Sequence, residues 1–198
     1  MSGLKLAPRL QAKAWAARWV SGPSARLLVT LRVSPNAITM AGLAIVGGAA
    51  WLIADGRLLV GGIVMLAGAT LDLLDGAVAR LSGSASKFGA YLDSVADRVS
   101  EAAVLLGLLA YFIQDSNDLG AYLAFSAVVV STLVSYSRAR AEGLGISGDV
   151  GFMGRPERVV VLGGGLLAGY PVPALGVIVA IGSITVLQRL IHVWRATR

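Results

Sequence analysis

Residues 58–81 read LLVGGIVMLAGATLDLLDGAVARL: no charge as far as Leu71, then Asp72, Asp75 and Arg80 in the last part of the run. A helix needs about 20 predominantly apolar residues to cross a bilayer. This stretch is therefore a membrane span that carries ionisable side chains where they are costly and usually functional. The whole chain has the matching composition: 198 residues, 56% hydrophobic, 14% charged, mean hydropathy +0.76. A soluble domain carries about 25% charged residues, so a soluble enzyme, a secreted disulfide scaffold and a disordered chain are excluded. With no cysteine there is neither a disulfide nor a thiol nucleophile. The net charge of +6, on a membrane protein, reports topology and anionic lipid rather than nucleic acid.

Working outward, Ser34-Pro35-Asn36 is a helix start, because proline is tolerated in a first turn but cannot continue a preceding helix. Ala37–Ala54 is the first span and Asp55-Gly56-Arg57 a tight turn into the second. After the polar loop Ser82–Lys87, a third helix runs from about Phe88 to Ile113, with Asp93, Asp97, Arg98 and Glu101 at one end. Leu119–Tyr136 is the fourth span, extending to Glu142. Beyond the glycine-rich stretch Gly143–Gly154, Pro156 opens a fifth that ends at Tyr170-Pro171-Val172-Pro173, and Ala174 to about Trp194 is the sixth. The expected fold is an all-α integral membrane protein with six transmembrane helices over residues 35–198. Residues 1–34 hold Lys5, Arg9, Lys13, Arg18, Arg26 and Arg32 and no acid, with Trp15 and Trp19 among them. They are expected to form a basic, amphipathic juxtamembrane segment with a helix lying on the membrane surface. Charges spread through the segment do not fit a signal peptide.

An even number of spans puts both termini on one side. That arm, the second-to-third loop, the fourth-to-fifth loop and the C-terminus carry nearly all the Lys and Arg, whereas the opposite loops hold only Arg57 beside Asp55, Asp115 and Asp118. The positive-inside rule then places both termini in the cytoplasm of a multi-pass plasma-membrane protein.

The intramembrane acids are grouped. Asp72 and Asp75 share a helical face at a spacing of three, and Asp93 and Asp97 at a spacing of four. Gly76, Ala79 and Gly89 leave room beside them. The short loop between the second and third spans is expected to force them into an antiparallel pair, so that four carboxylates converge near the cytoplasmic surface. Four carboxylates together require cations. An all-oxygen set without nearby His or Cys suits Mg²⁺, Mn²⁺ or Ca²⁺ rather than zinc. Interhelical salt bridges with Arg80 and Arg98, or a proton or cation pathway, are the readings that compete with a metal site.

The pattern Asp72-x2-Asp75-Gly76-x2-Ala79-Arg80-x8-Gly89-x3-Asp93-x3-Asp97 resembles the motif of the CDP-alcohol phosphotransferase family at every fixed position. The resemblance implies a six-span membrane enzyme, usually a homodimer, with a site that faces the cytoplasm. It also implies transfer of a phospho-alcohol from a CDP-linked donor to a hydroxyl acceptor, with release of CMP. It implies two divalent ions, Mg²⁺ or Mn²⁺, held by Asp72, Asp75, Asp93 and Asp97, with Asp97 also the general base. Asp72, Gly76, Ala79 and Arg80 would meet the donor nucleotide. Asn36 and Thr39, one turn apart on the first span, are further candidates for contact with it, although helix capping explains them as well.

The downstream half, Ser135–Glu142, Gly151–Arg158, Gln188-Arg189-Leu190 and Val193-Trp194, resembles the actinobacterial phosphatidylinositol-phosphate synthase branch of that family. There the implied substrates are CDP-diacylglycerol and inositol 1-phosphate. A helix start at Pro156 offers free N–H groups to an anion. Arg155 and Arg158 flank it, Arg138 ends the fourth span on the same side, and Arg189 lies in an otherwise apolar sixth span. These four arginines are the candidate acceptor-phosphate site. The chain departs from the branch in having Arg138 where lysine is typical and Gly154 where an acid is common. Other acceptors or donors (glycerol 3-phosphate, an archaeal CDP-ether lipid, CDP-inositol) and, from another class, a cation or proton transporter complete the set of expectations. His192, the single histidine, is expected at an interface rather than as a ligand.

Overall fold

A computed structural model describes residues 22–198. The tryptophan-bearing stretch expected to lie on the membrane surface falls outside these residues. Seven α-helices and no strand are found among the described residues: α1 (Gly22–Thr30), α2 (Pro35–Ala54), α3 (Leu58–Leu81), α4 (Lys87–Gln114), α5 (Asp118–Gly143), α6 (Arg155–Ala168) and α7 (Pro171–Ala196). The starts follow local chemistry. Ser34 caps α2, its hydroxyl accepting from the Ala37 N–H at 3.2 Å; Ser86 caps α4 through the Gly89 N–H; Asn117 caps α5 through the Gly120 N–H. Each side chain satisfies one of the orphan donors of a first turn.

The protein is an all-α membrane protein. Among the described residues four helices, α2, α3, α5 and α7, are long and apolar enough to cross a bilayer. The remaining two of the expected six differ for identifiable reasons. α4 has ample length, 28 residues, but Asp93, Asp97, Arg98 and Glu101 interrupt its apolar face. α6 has 14 residues, a rise of about 21 Å against a hydrocarbon core of about 30 Å. It stops where Gly169 takes the left-handed conformation (φ 77°) and Pro171 opens the next helix.

Helices α2 to α7 close a ring. α2 packs on α3 and α4, α3 on α6, α6 on α7, α7 on α5, and α5 on α4, while the short α1 lies against α3. The expected antiparallel pairing of the second and third spans is thus corrected. α3 and α4 both lean on α2 instead of packing extensively on each other, and the space between their charged ends stays open. Gly107 permits the α2–α4 contact, since a Cβ there would stand 2.4 Å from the Ala50 carbonyl oxygen. Val46, Met65, Val104, Leu105, Leu108, Phe112, Leu162, Leu175 and Ile178 fill the ring as its core. Trp51, Ile63, Leu106, Phe125, Val160 and Leu187 are exposed outside it, an apolar exterior that suits lipid.

Candidate active site

Most charged residues of the ring gather at one end, in the C-terminal parts of α3, α5 and α7 and the N-terminal parts of α4 and α6, where α2 adds the polar Asn36 and Thr39. Two cavities open there. The first, of about 470 Å³, is lined by Asn36, Thr39, Asp75, Gly76, Ala79, Arg80 and Asp93, with Ser84 and Ser86 of the α3–α4 loop. The second, of about 270 Å³, is lined by Asp97, Arg138, Arg155, Arg158 and Arg189. Asp93 faces the first and Asp97, one turn further along α4, faces the second. The acids thus lie between the two spaces.

Asp72, Asp75 and Asp97 each have a defined partner. The Thr39 hydroxyl lies 2.6 Å from Asp75 Oδ2 and 3.2 Å from the Pro35 carbonyl; its one proton serves the shorter contact. Asp75 Oδ1 also accepts from the Gly76 N–H at 2.5 Å. Arg155 bridges the other helix pair, donating from one amino nitrogen to Asp72 Oδ2 at 2.9 Å and from the other to Asp97 Oδ1 at 2.5 Å. Asp72 fits beside α2 because residue 42 is glycine: a Cβ there would stand 2.8 Å from Asp72 Oδ1. At Gly76 a Cβ would meet the Arg80 guanidinium at 3.2 Å, so the small residue lets that side chain lie back along α3. Capping of α2 falls to Ser34, which leaves the Asn36 side chain to line the first cavity.

The arginines of the second cavity are held in different ways. Arg158, 1% exposed, donates from Nε and one amino nitrogen to Glu101 at 2.5 and 2.7 Å. Such a forked pair is both strong and directional, and it fastens α6 to α4 one turn from the Arg155–Asp97 contact. Arg189, also buried, donates to the main-chain carbonyl of Val150 at 2.9 Å and to that of Val134. Arg138 is half-exposed, pairing with Glu142 at 2.9 Å and Asp149 at 3.7 Å. Glu157, a possible partner for these arginines, instead accepts from the Gly154 N–H at 2.9 Å and caps α6. The loop before α6 is pinned to α7 where the Met153 N–H donates to the Thr185 hydroxyl at 3.1 Å.

The donor set of the acids is oxygen only, which suits a hard divalent cation. Asp72, Asp75, Asp93 and Asp97 share one electrostatic neighbourhood, with Arg155 acting on all four. Arg155, with Arg98 acting on Asp93, sets two guanidinium groups against four carboxylates and leaves the cluster short of positive charge. As the side chains stand, no three of the described acids are gathered as closely as metal ligands, and the guanidinium of Arg155 lies between Asp72 and Asp97. The residues fit a divalent ion in chemistry and number once that arm is withdrawn.

Two residues of this site escaped the sequence reading as partners. Glu101 continues the acid spacing of α4, four residues beyond Asp97, and Arg158 lies three beyond Arg155. Gly42 lies three beyond Thr39, which lies three beyond Asn36. The matched spacings carried the signal; which helix faces which did not.

The chain belongs to the CDP-alcohol phosphatidyltransferase family, whose model matches residues 32–197, and is thus a transferase of that class. The chain is 39% identical over 186 residues to phosphatidylinositol phosphate synthase of Mycobacterium tuberculosis (strain ATCC 25618 / H37Rv), covering 88% of this chain and 86% of the relative. It is similar in structure to the M. tuberculosis phosphatidylinositol phosphate synthase with CDP-DAG bound, with a TM-score of 0.81 and 33% identity over 89% of this chain and 94% of the other. The same enzyme in complex with manganese and citrate matches with a TM-score of 0.81 and 33% identity, over 87% of this chain and 88% of that one.

Proposed function

We propose that this protein transfers the phosphatidyl group of CDP-diacylglycerol to inositol 1-phosphate, releasing CMP and forming phosphatidylinositol phosphate. The observation that carries the reading is the placement of the carboxylates between two cavities of different chemistry. One is lined by small residues, hydroxyls, Asp75, Asp93 and a single arginine; the other by five arginines, Arg98 among them, with Asp97 and Glu142. A CDP-linked donor suits the first and a phosphorylated polyol the second. The relatives named above support the choice of both substrates.

Asp72, Asp75, Asp93 and Asp97 are assigned as the ligands of Mg²⁺ or Mn²⁺, two ions per site. When bound there, the ions supply positive charge to the donor pyrophosphate and the departing CMP. Gly76 and Ala79 admit the cytidine nucleotide against α3, and Arg80, beside Asn36 and Thr39, meets its phosphates. Thr39 keeps the Asp75 carboxylate turned toward the cavity. Arg138, Arg155 and Arg189 hold the acceptor phosphate. Arg158 gives Nε and one amino nitrogen to Glu101 and keeps the other amino nitrogen buried without a partner; it contributes positive charge to the wall and holds α6 in place. Asp97 borders the acceptor cavity and takes the proton of the attacking hydroxyl as the new bond to phosphorus forms. No Ser-His or Cys-His pair is available for a covalent intermediate, since the chain has no cysteine and its one histidine, His192, does not line either cavity. Transfer is direct between two bound substrates.

We assign α4 and α6 as the third and fifth of the six spans of the membrane domain 35–198. The charged start of α4 and the short reach of α6 are accommodated by the polar cavities at the site end. The concentration of Lys and Arg at that end supports a cytoplasmic site and cytoplasmic termini in the plasma membrane. A homodimer is the proposed assembly.

The test is CMP release by purified protein with CDP-diacylglycerol and Mg²⁺, with inositol 1-phosphate, free inositol and glycerol 3-phosphate offered separately. Release with inositol 1-phosphate alone is the expected result. Release with glycerol 3-phosphate would keep the metal site and discard the acceptor assignment. Cation flux in vesicles without CMP release under any donor would replace the enzyme reading for the acids.

A further inference from the structure

The three arginines that α6 and α7 bring to the second cavity are not equally fixed. Arg158 is fully buried and gripped by both oxygens of Glu101. Arg189 is buried and gripped by main-chain carbonyls, which do not move unless helices move. Arg155 differs. Its side chain is 25% exposed, and its ion-pair partners are the single oxygens that Asp72 and Asp97 lend it. Its Nε is buried without a partner, so the guanidinium is held by its two amino nitrogens alone. It stands at the first position of α6, directly after the loop 144–154, and also lines the basic cavity.

Arg155 therefore has two possible places within reach, and its present partners are residues that a divalent ion would claim. A guanidinium and a divalent ion cannot both sit on the same carboxylate oxygens, since like charges at such range repel. A phosphate in the basic cavity offers the same fork-shaped donor a doubly anionic partner. We propose that Arg155 is a tethered counter-cation that exchanges between the Asp72–Asp97 pair and the acceptor phosphate, so that acceptor binding and metal binding favour each other. In the absence of metal the arm pairs with two of the four acids and offsets one of their two charges. When an acceptor phosphate draws it into the basic cavity, Asp72 and Asp97 are released to the metal. By linkage, metal must tighten acceptor binding by the same factor as acceptor tightens metal binding. The enzyme would thus assemble its full metal site chiefly when the acceptor is present. This inference rests on the proposed metal and acceptor sites.

The test reads Mn²⁺ binding by electron paramagnetic resonance on full-length protein in detergent, without turnover and without CDP-linked donor. In the wild-type protein, saturating inositol 1-phosphate should lower the Kd for Mn²⁺ by about fivefold or more, and free inositol should not. Arg155→Gln should bind Mn²⁺ at least about fivefold more tightly than wild type with no acceptor present, and inositol 1-phosphate should add nothing. Arg138→Gln, which removes equal charge from the same cavity without touching Asp72 or Asp97, should leave the acceptor-free Kd for Mn²⁺ within about twofold of wild type; circular dichroism confirms that each variant is folded. Equal or weaker Mn²⁺ binding by Arg155→Gln, or an equal gain in Arg138→Gln, overturns the exchange while the metal site stands. Absence of Mn²⁺ binding in wild type and Arg155→Gln alike overturns the metal reading and the exchange with it.

Discussion

The two cavities are built on opposite plans. The first is assembled from neighbours in the chain: the start of α2, the end of α3, the loop after it and the start of α4, all within residues 34–93. The second draws on four helices, from Ser94 in α4 to Arg189 in α7. In the first, acids are oriented by short hydrogen bonds from nearby groups, such as Thr39 and the Gly76 N–H on Asp75. In the second, orientation comes from ion pairs and carbonyl contacts between distant helices: Arg155 to Asp72 and Asp97, Arg158 to Glu101, Arg189 to Val150 and Val134. Local construction makes the first cavity robust to small movements of the ring. The second depends on how α4, α5, α6 and α7 meet, and it is the natural place for specificity to vary.

Substitutions test this contrast. The largest effect is expected at Asp97, which borders the second cavity while sharing the acid cluster with the first. Asp97→Asn should lower kcat by about a thousandfold or more, roughly 4 kcal/mol, while CDP-diacylglycerol binding, measured by titration, persists. Complete loss of donor binding would make Asp97 chiefly a metal ligand and blur the division between cavities. Next comes Glu101→Gln. Leaving Arg158 buried without its carboxylate should cost about 3 kcal/mol of stability, seen as a lower unfolding temperature in detergent. An unchanged temperature would show that the α4–α6 clip is not what holds the second cavity together.

Arg189→Gln should raise the acceptor KM by about 30-fold, about 2 kcal/mol, with a smaller fall in kcat and an unchanged donor KM. A donor KM that rises equally would mean the two cavities are not separate subsites. The smallest effect belongs to the local side. Thr39→Val removes one hydrogen bond to Asp75 and should reduce kcat/KM for the donor by about fivefold, roughly 1 kcal/mol, leaving the acceptor KM alone. Steady-state kinetics with each substrate varied in turn distinguishes these outcomes.

The same contrast separates what was legible in the sequence from what was not. The membrane class, the helix start at Ser34-Pro35, and the acid pairs on single faces all follow from patterns within one or two turns of helix. Hydrophobic run length and side-chain spacing act locally and need no knowledge of neighbours. So does the room left by Gly76 beside Arg80. The site motif from Asp72 to Asp97 lies in one continuous stretch, which is why it could be read as a unit.

The partnerships were decided elsewhere. Arg158 was grouped with the acceptor arginines, and only the packing of α6 on α3 and α7, opposite the site end of α4, shows that two of its three nitrogens go to Glu101. Arg155 reaches Asp72 across 83 positions of the chain, a pairing that no spacing rule encodes. Likewise α3 and α4, though joined by a short loop, lean on α2 rather than on each other, so the acids face an open space instead of a packed seam. The sequence by itself determined the lipid-embedded helical class, the positions and faces of the four aspartates, and the inventory of arginines at one end. Only the tertiary structure decided which arginine meets which acid and that two cavities flank the aspartates. Ion pairing and cavity shape depend on interhelical contacts at atomic distance, and these are set by the packing of whole side-chain surfaces.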